Sequence, residues 1–287
     1  MVSVRVRVDM LYYKYFSPKR KAFLNELLIR FTPPGLFNDP FDSLPAFSNF
    51  DESLINEKVD KVGLDIAFDL PYDPSPEPVK RAKLHLLSEA NAILKKAYLS
   101  NPSVLDEVFE TLHRKRINSE IGILCCSETR QSVIMWSHYA DEHKGFVVGF
   151  ESTDSFFSHY PHEPPDIGVL RRVTYTQERT IIDIRNIRED AQLPEFLFTK
   201  NQDWSYEKEW RIIRLLQDAV EIRNSDVYLV AVPPSAVRQV IIGCHADPQM
   251  ADELRNAQMK NSALSHVEFL RARLSKRRYE MDILPWT

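Results

Sequence analysis

Glycine is scarce in this chain, with seven residues in 287, while proline is abundant at eighteen. A phosphate-cradling loop needs glycines at fixed intervals, and neither G-x-G-x-x-G nor G-x-x-x-x-G-K-[ST] occurs anywhere. Classical dinucleotide-binding and P-loop folds are thereby disfavoured. Cysteine is equally sparse: Cys125, Cys126 and Cys244 are odd in number, and adjacent residues rarely pair with each other. They read as buried thiols in strands. No apolar run approaches the length of a membrane span, and the opening "MVSVRVRVDMLYYKYF" alternates with charge instead of forming an apolar signal core. The expectation is a cytoplasmic protein with no membrane partner.

Nor does one sign of charge dominate. Thirty-seven Lys and Arg stand against 41 Asp and Glu, a net charge of −4 at pH 7, so any contact with a polyanion must be local. What is present is an ordinary globular composition, 44% hydrophobic and 27% charged, in a chain long enough for a sizeable core. Nothing repeats internally.

The pattern along the chain changes twice. Residues 1–50 open with strand character through "LYYKYF", a short helix over Arg20 to Leu28, and then "LIRFTPPGLFNDPFD", a strand running into a turn-rich loop. Across residues 51–120 the spacing becomes helical, with Leu84, Leu87, Ala90, Leu94 and Ala97 in register and "SVLDEVFETLHRKRI" continuing in the same style behind a proline-rich connector. From residue 121 to 287 strands return: "IGILCCSE", "GFVVGFE", "VLRRVTYT", "SYEKEWRIIRL", "DVYLVAVP", "VRQVIIG" and "HVEFLRARL". Helical "VIMWSHYADEHK", "LPEFLFTK" and "DPQMADELRNAQMK" interrupt them. Roughly seven or eight strands against four or five helices, in irregular order, predict an α+β fold. Its core, residues 1–50 and 121–287, would be a mixed, mostly antiparallel sheet, and residues 51–120 a helical insertion.

Four stretches carry candidate chemistry. In "DWSYEKEWRII", Asp203 to Ile213, strand alternation would put Glu207, Glu209 and Arg211 on one face and Tyr206, Lys208 and Trp210 on the other. Two carboxylates about 7 Å apart beside a guanidinium can hold a polar substrate or a cation. Taken alone, the same pattern is the solvated outer face of an antiparallel strand. In "MWSHYADEHKGFVVGF", Trp136, Ser137, His138 and Tyr139 bring an aromatic platform, a hydroxyl and an imidazole to the mouth of a strand. His138 and His143 are five apart, which does not suit a helical metal pair, and no metal site is expected there. The plain reading is a helix packed on the sheet through Trp136; the other is a nucleotide or base stacked on Trp136 or Tyr139. In "FNDPFD", Asn38 and Asp39 ahead of Pro40 make a turn held by side-chain-to-backbone hydrogen bonds, or else Asp39 or Asp42 meets a ribose or a cation. The last, "RARLSKRRYE", is a basic patch that either faces solvent or steers an anion.

In this order, "LYYKYF", "FTPPGLFNDPFD", "CCSE", "MWSHYADEHKGFVVGF", "WSYEKEWRII" and "VIIGCHA" resemble the bacterial family catalogued as domain of unknown function 2971. The layout is also similar, more distantly, to the ADP-ribosyltransferase superfamily, which uses a polar residue on a first strand, a hydroxyl or aromatic on a central strand and a late glutamate, often in E-x-E. That resemblance implies Tyr13 or Lys14, then Ser137 or Tyr139, then Glu209 with Glu207 as its helper. The first-strand residue is Lys14, where the superfamily usually carries His or Arg, and the serine-threonine-serine pattern of one branch is absent.

The resemblance implies NAD as substrate. Glu209, Glu207 and Tyr139 would be catalytic; Tyr13, Lys14, Asn38, Asp39, Trp136, Ser137 and His138 would bind substrate, and Arg211 would grip phosphate. The acceptor is a protein or a nucleic acid of unspecified kind, and the setting a toxin or phage-defence effector. Two other readings stay open: a divalent-metal nuclease using Asp39, Asp42, Glu207 and Glu209, against which the order Glu207-Lys208-Glu209 departs from E-x-K, and a non-enzymatic module that binds a nucleotide or partner.

Overall fold

The computed structural model describes residues 10–48, 96, 102–158, 167–183 and 195–286. The chain divides into two compact units, Met1–Ser43 with Arg116–Glu178 and Ala191–Thr287, and Leu44–Lys115 with Arg179–Asp190. In chain order the strands are β1 Leu11–Phe16, β2 Leu28–Phe31, β3 Ala46–Ser48, β4 Ile121–Ser127, β5 Phe146–Glu151, β6 Arg171–Arg172, β7 Thr174–Thr176 and β8 Ile181–Asp183. They continue with β9 Thr199–Asn201, β10 Glu209–Leu215, β11 Glu221–Arg223, β12 Val227–Ala231, β13 Val237–Ile242, β14 Glu268–Leu274 and β15 Met281–Pro285. The helices are α1 Phe23–Glu26, α2 Pro102–Glu120, α3 Val133–Tyr139 and α4 Pro248–Lys260.

The first unit is built on an eight-stranded sheet in the order β15-β14-β13-β5-β1-β4-β10-β6. Only β13 and β14 run parallel; every other pair in it is antiparallel. The protein is therefore α+β with a mixed, mostly antiparallel sheet. Its central strands are apolar on both faces because both faces are covered. Thus β5 buries its first five residues and β4 six of seven. The parallel pair is made possible by α4, which crosses between β13 and β14. Asp247 caps that helix by accepting from the Gln249 amide, Pro248 opens it, and Met250, Ala251 and Leu254 join the core.

In the second unit β3 pairs in parallel with β8. Arg179 ties that pair to α2, donating to the Pro45 carbonyl at 3.0 Å and to Glu110 at 2.6 Å. Among the described residues no helix is long and apolar enough to cross a membrane.

Several local readings change. The helix expected from Arg20 to Leu28 shrinks to α1, because Leu27 turns left-handed (φ 49°) and Leu28 enters β2. The strand expected from "VLRRVTYT" breaks at buried Val173 into β6 and β7, which join different sheets. In "LPEFLFTK" the helical part is one 3-10 turn, Glu195–Phe198, before β9. Cys125 and Cys126 lie on β4, but Cys244 sits in a turn after β13; all three are free. Within the insertion read over 51–120, Leu84, Leu87, Ala90, Leu94 and Ala97 of the helical register and the proline-rich connector lie outside the described residues, as do residues 1–9 of the opening segment.

Candidate active site

Strand β1 pairs with β5 along all six of its residues, but meets β4 at one register pair, Tyr13 with Ser127. Beyond that point the two strands separate, and farther along β4 it is Thr32, just after β2, that bridges to Ile123. Lys14 reaches across the gap and donates to the Cys125 carbonyl at 2.9 Å. The separation opens a cavity of about 390 Å³. Tyr13, Tyr15, Phe37, Met135 and Tyr139 give it apolar walls, Lys14 and Arg30 supply cations, and Asn38, Ser127 and His138 supply further polar groups. Its remaining lining includes Asp42, Lys200, Glu207 and Glu209. That volume falls within the ~300–1,000 Å³ typical of small-molecule sites.

The carboxylates of the lining form a closed network with Lys200 and Arg211. Lys200 Nζ lies 2.6 Å from Glu207 Oε2, 3.2 Å from Glu209 Oε2 and 3.5 Å from Asp42 Oδ2. Arg211, fully buried, donates through Nε to Glu209 Oε1 (2.8 Å), through Nη2 to Asp42 Oδ2 (2.7 Å) and through Nη1 to the Leu197 carbonyl (2.8 Å). Tyr139 donates its hydroxyl to Glu207 Oε1. Three carboxylates against two cations leave one negative charge in excess, a burial tolerable only because every member has hydrogen-bonding partners.

The two glutamates feel this network differently. Burial pushes Glu207 up, and the Lys200 ammonium offsets that only in part, so its carboxyl lies above the usual range. Burial pushes Glu209 the same way, but the Arg211 guanidinium and then Lys200 outweigh it and hold Glu209 well below that range. Lys200 in turn loses by burial and gains more from Glu209, Glu207 and Asp42, ending raised. Burial also raises the Tyr139 hydroxyl, as does Glu207, so it stays a proton donor. Cys125 is pushed far up by burial and then by Glu209, which makes its thiol a poor nucleophile.

How Glu207 and Glu209 meet differs from the strand expectation. Residues Gln202–Glu207 form a 3-10 turn, Lys208 is left-handed (φ 45°), and β10 begins only at Glu209. The reversal at Lys208 brings the end of a turn and the start of a strand to one ammonium group. Nor is this a solvated face: Glu207, Glu209 and Arg211 are all buried.

Of the residues singled out in the sequence, the cavity gathers Tyr13, Lys14, Asn38, Asp42, His138, Tyr139, Glu207 and Glu209. Four others stand elsewhere. Trp136 is fully buried, donates to the Arg130 carbonyl at 2.8 Å and packs edge-on against Tyr15, so it is core and offers no stacking face. Ser137 is exposed and off the lining. Asp39 Oδ1 accepts from the Phe41 amide at 2.9 Å, which is the turn role. Arg211 is spent on Glu209, Asp42 and a carbonyl and is not free to grip phosphate. Sequence reasoning missed Lys200 and Arg30; the one hint of Lys200 was a lysine closing the apolar run Phe196-Leu197-Phe198, where a cation must find buried partners.

The fold and cavity thus define an α+β protein with a ligand-sized cleft where two neighbouring strands part. Residues 135–212 match the model of the family described as "Protein of unknown function (DUF2971)", a span from α3 into β10 that includes Tyr139, Lys200, Glu207 and Glu209. No curated protein and no solved structure matches the chain.

Proposed function

We propose that the cavity consumes NAD in the manner of an ADP-ribosyltransferase, as transferase or glycohydrolase. The reading is carried by one observation: Glu207 and Glu209 line the same cavity and share the Lys200 ammonium, while only Glu209 also holds Arg211; the direction in which each environment pushes its carboxyl agrees with separate acid–base roles. The residues suit the substrate. The cavity size and its aromatic walls accommodate a nicotinamide riboside portion, and Lys14 and Arg30 offer positive charge to phosphate.

In this reading the bond between ribose C1′ and the nicotinamide nitrogen breaks with its electron pair going to the ring, and neutral nicotinamide leaves. Positive charge develops at C1′, and the ionised Glu209 stabilises it. Water or an acceptor hydroxyl attacks C1′ and gives its proton to Glu207, whose raised affinity makes it the better base. Tyr139 orients Glu207 through its hydroxyl. A toxin or phage-defence role belongs to the same proposal. The metal-nuclease reading is weaker, because Asp42, Glu207 and Glu209 already turn to Lys200 and Arg211.

The test is nicotinamide release by wild type, Glu209→Gln and Glu207→Gln, each checked for folding by circular dichroism. Release by wild type that falls ~100-fold or more in Glu209→Gln would support the reading, since stabilising groups of this kind contribute on that scale. NAD that binds without release points to a binding module; no binding at all removes the reading.

A further inference from the structure

The hairpin joining β14 to β15 differs in charge from the rest of the chain. Between Arg271 and Arg278 lie five cations, Arg271, Arg273, Lys276, Arg277 and Arg278, and no carboxylate, in a protein whose net charge is −4. Two of them are engaged: Arg271 lies over the Trp286 ring at 5.5 Å, and Arg278 is 2.7 Å from Glu280. Arg273, Lys276 and Arg277 are exposed and make no ion pair among the described residues. At the tip Tyr279 is fully exposed, with a relative accessibility of 106%. It makes no hydrogen bond or ring contact among the described residues. Edge protection would account for the cations, since β15 ends the sheet order and charge deters edge-to-edge pairing. It does not account for a bare aromatic ring beside them.

The hairpin is also anchored beside the cavity. The Ser275 amide donates to the Glu280 carbonyl at 3.1 Å, closing the turn, and the Met281 amide donates to the Gln131 carbonyl at 3.0 Å. Met281 is buried in a cluster with Tyr13, Tyr15, Met135 and Trp136. Its foot therefore rests on the segment that leads from Ser127 to α3, both of which contribute cavity lining. From Gln131 to His138 that segment presents exposed Gln131, Ile134 and His138, and a helix of this length spans only about 10 Å.

We propose that this hairpin docks single-stranded nucleic acid, with Lys276 and Arg277 on phosphates, Tyr279 stacked on an unpaired base, and the strand led past α3 towards the cavity mouth; Arg273 faces the other side of β14, opposite Asp282, and takes no part. Exposed cations next to an exposed aromatic are an arrangement that binds single strands, because a phosphate meets a charge and a neighbouring base has a face to stack. A duplex hides its base faces and an acidic polypeptide has none, so the exposed ring favours the single strand. The inference concerns binding and stands whether or not NAD is consumed.

The test is fluorescence anisotropy of the full chain with a labelled single-stranded RNA, a DNA of the same sequence and their duplexes, across a salt series. Lys276→Glu with Arg277→Glu is expected to weaken single-strand binding tenfold or more and to reduce the slope of log affinity against log salt by about 1.4. Tyr279→Ala is expected to weaken it roughly fivefold or more while leaving that slope unchanged. These positions are exposed, so both variants keep the wild-type circular dichroism and melting temperature. Absent wild-type binding, unchanged affinity in both variants, duplex bound as tightly as single strand, or equal competition by polyglutamate would each overturn the proposal; the last would indicate an acidic protein partner.

Discussion

Glu207 and Glu209 share a single ammonium group: Lys200 Nζ lies 2.6 Å from one and 3.2 Å from the other. They are not equivalent there, because Glu209 also holds Arg211 through both of its oxygens, whereas Glu207 has Tyr139. A guanidinium favours the ionised form far more than a phenol does. One residue is thereby fixed as a carboxylate while its neighbour keeps a proton more readily.

Replacing Glu209 with Gln should cost about 1–3 kcal/mol at pH 7, because Arg211 keeps Asp42 but loses its charge-assisted hydrogen bonds to the Glu209 carboxylate. Since folding lowers the affinity of Glu209 for a proton, its contribution is present above the unfolded value near ~4.3 and is lost as acid protonates it. Folding raises that of Glu207, so its contribution is complete below ~4.3 and is lost as pH rises through the folded value. Urea melts should therefore show Glu207→Gln costing less than Glu209→Gln at pH 7. The reverse order would mean that the two environments are assigned the wrong way round.

Lys200→Ala leaves Asp42, Glu207 and Glu209 facing a space that an ammonium group had filled. We expect a loss of about 3–5 kcal/mol and a new affinity for divalent cations, read as a rise in melting temperature with calcium or manganese that wild type does not show. If the cations fail to stabilise the variant, the carboxylates have moved apart.

Tyr139→Phe removes the hydrogen bond that favours ionised Glu207. Stability should fall by about 0.5–1.5 kcal/mol. If the proposed activity is present, the acidic limb of its pH–rate profile should move to higher pH, since Glu207 then holds its proton more tightly. A limb that stays in place would mean that Glu207 is not the titrating base.

Gly145→Ala tests the close packing behind α3. A Cβ there would run into the Phe16 carbonyl oxygen, a backbone atom that cannot rotate away. The expected cost is about 1–3 kcal/mol, the range for overpacking, measured by thermal melting. A neutral result would show that the end of β1 yields easily.

The apolar runs "IGILCCS" and "FVVGFE", and the Asp-Pro start of "DPQMADELRNAQMK", determined their elements without help, because double-sided burial and helix capping act over a few neighbouring residues. The E-x-E pair also stood out, as two carboxylates beside a guanidinium. Three matters were decided by tertiary structure. Asp203 to Glu207 alternates as a strand would, and only packing made it a turn that reverses at Lys208. Trp136 and Tyr139 lie three residues apart on one short helix, yet one is core and the other bonds Glu207, a choice set by what surrounds each side chain. Asp42 and Arg211 are 169 residues apart and meet at 2.7 Å. Composition and periodicity report what a residue requires of its neighbours, and buried charges such as Lys200 and Arg211 require partners that only chain folding can bring to them.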